Sequence, residues 1–408
     1  MEPLDQRETP ASFAAMKEHQ HPPVCLAPHA PPAAFVIAFA ILLLLAEPEN
    51  ASAETSLQYK WEDYHEEDGR IDVVAHYVRA DVDLGTVVKL SVEGVEDVIT
   101  GATPTGQPIR EDGVLPMAQL IETRHAIIAD LTRAWPEATT RIQYARSNEN
   151  DYLSNGFSGS WIQEFNGKNT QLQLGFSYID DDITPDFFAQ PEKKISRDFL
   201  IGVTQILDAS TTITINYSHG HATGFLSDPY KLVQKTIEPL PGLPLALTFP
   251  ENRPDERDKD IFFAQVARYF ENLRGSAESS FRYYRDDHGI RSGTIELAWF
   301  QRFGSRVVVR PNVRWYRQTA ADYYHVNLDA TTIMPVPDPD ASMPFYSSDY
   351  RLSEFDGLTF GMKVVYKQDD RWAIDAAFER YSMHGRDETP GLAYITANTL
   401  TLGMQLWF

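Results

Sequence analysis

The chain has 408 residues, a net charge of −22 from 36 basic and 58 acidic side chains, and a single cysteine. That length holds two ordinary domains or one large all-β unit. The negative balance repels phosphate backbones and excludes nucleic acid as a partner, and one thiol cannot build a disulfide framework.

The only long apolar run is AAFVIAFAILLLLA at 33–46, whose 14 residues fall short of the roughly 20 that a spanning helix requires. It fits the core of a secretory signal peptide. The sequence ASA at 51–53 supplies the small-x-small pattern of a signal peptidase site, so cleavage is expected before Glu54. Glu2, Asp5, Glu8 and Glu18 against Arg7 and Lys17 make the run-up unusually acidic, and Met16 offers an alternative start. Cys25 leaves with this segment, and no lipobox cysteine follows the apolar run. The expected organisation is a signal peptide, 1–53, and an exported domain, 54–408.

From Glu54 onward the period is two. QLQLGFSY places Leu172, Leu174, Phe176 and Tyr178 on one face; TITINY does so with Ile213, Ile215 and Tyr217, and TIELAW with Ile295, Leu297 and Trp299. LTFGMKVVY aligns Leu358, Phe360, Met362, Val364 and Tyr366, and WAIDAAF aligns Trp372, Ile374, Ala376 and Phe378. The opposite faces are polar, the pattern of strands with one greasy side. RVVVRPNVRW follows the same alternation, but Pro311 interrupts it, and Pro removes a ladder hydrogen bond. A bulge or a strand end is expected there.

The connections alternate in length. Short turns fall near Leu84, Pro136, Gly167, Asp208, Leu273, Gly304 and Asp369, and longer links at 66–70, 96–120, 151–154, 181–195, 223–260, 285–292, 319–354 and 384–392. Seven turns and eight loops predict 16 antiparallel strands, each of about 9 to 11 residues. This is the architecture of a transmembrane β-barrel, short-turned toward the periplasm, and closure removes the strand edges that lipid would punish. The chain ends TLTLGMQLWF, with Leu402, Met404, Leu406 and Phe408 on one face. This stretch resembles the assembly signal of outer-membrane barrels, whose last strand alternates and ends in an aromatic.

Four further stretches together resemble the bacterial family catalogued as domain of unknown function 3570: DGRIDV at 68–73, ITGATPTG at 99–106, YSHGHATGFLSDPYKLV at 217–233 and ENRPDERDK at 251–259. The resemblance implies a Gram-negative outer-membrane location and supplies neither an activity nor catalytic residues.

Candidate sites follow from side-chain parity. Arg306, Arg310 and Arg314 share the inward face of one strand, with Arg282, Glu296, Lys363, Asp375 and Glu379 facing the same lumen, and Lys363 expected directly opposite Asp375. These charges either select solutes or pair with one another. The segment 223–260 is too long and mixed to wave freely in water. It is the candidate constriction or plug, with Asp228, Tyr230, Arg253 and Arg257 as its polar residues, and a surface cap is the alternative. His219 and His221 share the lipid face, too few for a metal site. Ser218 and His219 point to opposite faces, so they cannot pair as nucleophile and base. The acidic runs at Asp180, Asp181 and Asp182, and at Asp338 and Asp340, are read as solvated loop charge. No catalytic residue, cofactor or metal is expected. The expected function is non-enzymatic passage of small solutes; a plugged docking barrel is the alternative, and an outer-membrane enzyme ranks third. Lipids of the outer membrane and the barrel-assembly machinery are the expected partners.

Overall fold

A computed structural model of the protein describes residues 55–185 and 190–408. The signal segment, its cleavage site and Cys25 lie outside the described residues. The chain forms strands β1 (Ser56–Glu66), β2 (Asp72–Asp83), β3 (Val88–Pro104), β4 (Met117–Trp135), β5 (Ala138–Asn148), β6 (Tyr152–Phe165), β7 (Thr170–Ile183), β8 (Glu192–Asp208) and β9 (Thr211–Gly224). There follow β10 (Leu232–Leu240), β11 (Leu243–Pro250), β12 (Glu256–Phe270), β13 (Gly275–Asp286), β14 (Arg291–Phe303), β15 (Val307–Gln318), β16 (Phe355–Lys367), β17 (Trp372–Gly385) and β18 (Thr396–Trp407). Sixteen of them close into one antiparallel barrel in chain order, with β9 pairing directly to β12 and β18 pairing back onto β1. β10 and β11 stand outside it as a separate two-stranded hairpin.

The alternation becomes two faces. Phe360 and Met362 are 59% and 53% exposed on the outer wall, whereas Thr359, Gly361 and Lys363 between them face the lumen. An outer face this apolar requires lipid around it. At the short-turn end Trp135, Phe165, Phe270, Phe303 and Phe408 are all exposed on strand ends, forming an aromatic girdle at one membrane boundary. Toward the loops the outer wall turns charged, with His65 on Asp72, Arg285 on Asp260 and Arg317 on Asp356.

The seven turns lie at one end and the eight loops at the other, although the loop at 149–151 is no longer than the turns. The sixteen barrel strands, at 11 to 19 residues, reach beyond the length needed for the membrane alone. The excess is clearest at β3 and β4, which stay paired from Val88–Arg133 up to Pro104–Met117. The link expected at 96–120 thus contracts to 105–116, because ITGATP continues the ladder. Pro311 causes neither a bulge nor a strand end. Pairing of β15 with β14 lapses at its level, between Asn312 and Val309, and resumes in the same register, while the β16 side remains complete. The ring faces outward and is exposed, so its cost is confined to one ladder position.

Candidate functional site: lumen wall and loop cap

The lumen wall is held by ion pairs. Lys60 meets Glu62 at 3.1 Å, Arg79 meets Asp81 at 3.1 Å, Arg141 meets Asp130 at 2.6 Å, Lys194 meets Asp181 at 2.9 Å and Lys259 meets Asp198 at 2.9 Å. Arg124 and Asp97, and Arg257 and Asp286, pair likewise. All but one link inward positions on one strand or on neighbouring strands, and Lys259 reaches Asp198 across Gly220 of the intervening β9, so the interior charge is largely neutralised in place.

Of the lumenal residues expected from the sequence, Arg310 pairs with Glu296 at 3.3 Å and also stacks over Phe300 at 5.2 Å. Lys363 is not directly opposite Asp375. The turn after Lys367 is longer than a tight one, so Lys363 faces Ala377 in the ladder and its ammonium reaches Asp375 diagonally, at 2.9 Å. Arg306 is not on the wall either. It lies in the exposed turn before β15, where its carbonyl accepts the Lys367 amide. Arg282 and Arg314 do face the lumen, exposed, and neither is ion-paired among the described residues. Glu379 faces it too, opposite Gly361.

Above the wall the loops knit together. Loop 225–255 leaves the barrel between β9 and β12 and crosses to loop 105–116, between β3 and β4. There the Leu232 amide donates to the Thr105 carbonyl at 2.8 Å, and the Lys231 ammonium, on a residue 1% exposed, donates to the Pro104 carbonyl at 2.6 Å. Six strands, β4 to β9, separate those exits along the shorter arc of the ring, so the contact spans the mouth. Loop 319–354 meets them at the centre. Gly106 marks the convergence: with φ of 99°, it brings its backbone so close that a Cβ would lie 2.7 Å from the Leu232 carbonyl oxygen and 2.9 Å from that of Ser348.

The centre is an ionic cluster built on two buried carboxylates, Glu251 and Asp349. Arg253 bridges Glu251 at 2.7 Å and Asp349 at 2.8 Å, Arg351 holds Asp349 at 2.6 Å and also grips Asp228, and the Ser347 hydroxyl donates to Glu251 at 2.5 Å. Burial pushes both carboxyls up. At Asp349 the cations Arg351, Lys231 and Arg253 outweigh burial and hold it below the usual carboxylate range, whereas Glu251 stays raised. Burial likewise lowers the Lys231 ammonium. Around the cluster the loops bury Val233, Leu328 and Tyr346 in one apolar group, and Ile290, Ala321, Tyr323 and Leu352 in another. Further ties come from Arg70 to the Ala393 and Tyr394 carbonyls at 3.0 Å, from Tyr230 to Asp151, and from His288 to the Tyr323 hydroxyl at 3.0 Å. The seam between loops 105–116, 319–354 and 386–395 encloses about 20 Å³, room for about one water.

The long segment expected as constriction or plug therefore divides. Asp228, Tyr230 and Arg253 belong to the cap, but Arg257 lies on wall strand β12, paired with Asp286. LPLALTFP is β11 of the hairpin, whose tip residues Leu240, Leu243 and Leu245 are exposed. Sequence reasoning missed Lys231, Glu251, Asp349 and Arg351 because their partners lie up to 128 residues apart, as between Lys231 and Thr103. Their signal was local: charges embedded in apolar, turn-rich loop sequence.

On the outer wall His219 lies 3.0 Å from Asp260 and His221 lies 2.8 Å from Asp258. Among the described residues no group of three or more His, Cys, Asp or Glu is arranged to hold a metal. Asp180 and Asp182 face outward beside Lys193, and Asp340 caps Ser342.

A closed, lipid-belted 16-strand barrel with short turns and long loops is an outer-membrane-type β-barrel. Within that class the chain belongs to the family described as protein of unknown function (DUF3570), which matches residues 110–191 and 188–401. No curated protein matches the sequence. Similar solved structures include OpdK of Pseudomonas aeruginosa crystallised with vanillate, at 8% identity and a TM-score of 0.43, covering 88% of this chain and 99% of that one. The siderophore receptor PirA of the same organism shows 8% identity and a TM-score of 0.41, covering 83% and 57%. A loop-deletion mutant of OmpT, an outer membrane protein of Vibrio cholerae, shows 9% identity and a TM-score of 0.40, covering 88% and 99%.

Proposed function

We propose that the protein is a non-enzymatic channel of the bacterial outer membrane, passing small solutes through a polar lumen whose outer mouth is closed by a cap of interlinked loops. The observation that carries this reading is the interior itself: along β16 and β18, inward positions are Thr359, Gly361, Lys363, Thr399, Thr401 and Gly403, small or hydrophilic residues that leave water-accessible space. A barrel kept only as a platform has no need of such a lining. The cap supports a gated version, because its cross-mouth ties are few and chemically specific. The test is single-channel current from the folded mature chain in a planar bilayer, compared with an Arg253→Ala, Asp349→Ala double variant. Discrete steps that enlarge or lengthen in the variant support a capped channel. Silence from both, with heat-shifted gel mobility proving both are folded, favours the docking platform.

A further inference from the structure

Arg282 and Arg314 differ from the paired lumenal cations. Both are exposed inside the barrel, on β13 and β15, with no carboxylate partner among the described residues. Glu296 is the cross-strand neighbour of Arg314, yet its carboxylate is turned to Arg310 at 3.3 Å. The two guanidiniums flank one phenol: Tyr316 shares a ladder row with Thr294, itself opposite Arg282, and sits two residues above Arg314 on the same inward face. Tyr381 completes the wall, opposite Thr359, which in turn faces Arg314. Directly above, Tyr316 and Tyr381 pack against the cap's apolar group of Tyr350, Phe355, Met383 and Tyr394. The nearest unpaired acids, Glu278 and Glu379, share a lower row through Ala298, Asn312 and Gly361. Among these unpaired groups the cations lie nearer the cap and the acids nearer the turns.

We propose that Arg282 and Arg314, with the Tyr316 and Tyr381 rings, form a binding subsite for a small organic carboxylate just beneath the cap. An unpaired, water-exposed guanidinium presents a planar fork of donors that matches a carboxylate, and the tyrosines give an apolar body a face to lie on. The site is a waiting point on the path through the lumen, so the inference rests on the channel reading and refines it to anionic solutes. The lower acids repel such a solute once it passes, which favours release over trapping, as conduction requires.

The test uses the mature protein and an Arg282→Gln, Arg314→Gln double variant, both checked for heat-modifiable mobility. Reversal potentials are recorded under a potassium chloride gradient, then with sodium benzoate added. The wild type is expected to prefer chloride over potassium and to lose current on benzoate addition; the variant should lose at least about twofold of that preference and the benzoate block. Conducting wild type without anion preference, or a variant that retains preference and block, overturns the subsite and leaves the channel reading standing. If neither protein conducts, the channel reading fails, and calorimetric titration of benzoate into detergent-solubilised protein decides the subsite: binding to wild type but not to the variant supports it, and any other result overturns it.

Discussion

Asp349 and Glu251 share Arg253 and respond to protons in opposite senses. Asp349 is held low, so its ionised form contributes stability that is complete above its ordinary value of 3.8 and is lost as pH falls through the folded value. Glu251 is raised, so its ionisation costs stability as pH climbs from 4.5 through its folded value. The cap is expected to loosen in acid below about pH 3.8, and Asp349→Asn should abolish that acid limb. Glu251→Gln should instead flatten the loss at higher pH. Limited proteolysis of loop 319–354 across a pH series reads both. Removing a cation is more severe: Arg253→Ala leaves the buried Glu251 without its ion-pair partner, while Asp349 keeps Arg351, and should cost about 3 kcal/mol, seen as a lower denaturant midpoint for protease protection. Of this cluster the sequence singled out Asp228 and Arg253 but not the partners that hold them. Parity placed Arg310, Glu296 and Lys363 inside, but it misplaced Arg306, which needed the strand end, and the Lys363 partner position, which needed the turn length.

The elements were legible wherever lipid and water impose alternation. Leu172 to Tyr178 and Leu358 to Tyr366 declare strands because one face must be apolar and the other polar. Strand ends beyond the membrane carry no such constraint, and β3 and β4 accordingly ran on past the expected boundary through Thr103 and Pro104. The hairpin of β10 and β11 was hidden for the converse reason: with Leu243, Leu245 and Ala246 all exposed at its tip, no buried face forces an alternation. Its anchorage lies at the base, where Val233 is fully buried and Lys235 donates to the Leu328 carbonyl at 2.6 Å. Deleting 238–249 and joining the ends with a short turn is therefore expected to leave single-channel conductance unchanged, because the cap ties at Leu232, Glu251 and Arg253 survive. A rise in conductance from a correctly folded deletion variant would show instead that the hairpin itself obstructs the path.

For the whole molecule, the chain's ending is a closure device. β18 pairs with β17 on one side and β1 on the other, and the Phe408 amide donates to the Thr55 carbonyl at 2.9 Å. Leu402 sits mid-strand on the outer wall, 46% exposed, while Thr401 beside it points inward with its hydroxyl 3.4 Å from Glu62. Lipid and lumen thus make opposite demands on adjacent residues. Leu402→Lys places a cation near the bilayer midplane and should cost about 2–4 kcal/mol, lowering the fraction of heat-modifiable barrel and the denaturant midpoint in vesicles. Thr401→Lys introduces the same charge one residue away, into water and within reach of the Glu62 carboxylate, and should change the midpoint by less than about 1 kcal/mol. Equal losses from both would contradict a water-accessible lumen; equal tolerance would mean that the outer wall does not meet lipid. A large loss at 402 with little at 401 is the outcome that only a membrane-embedded barrel with a wet interior produces.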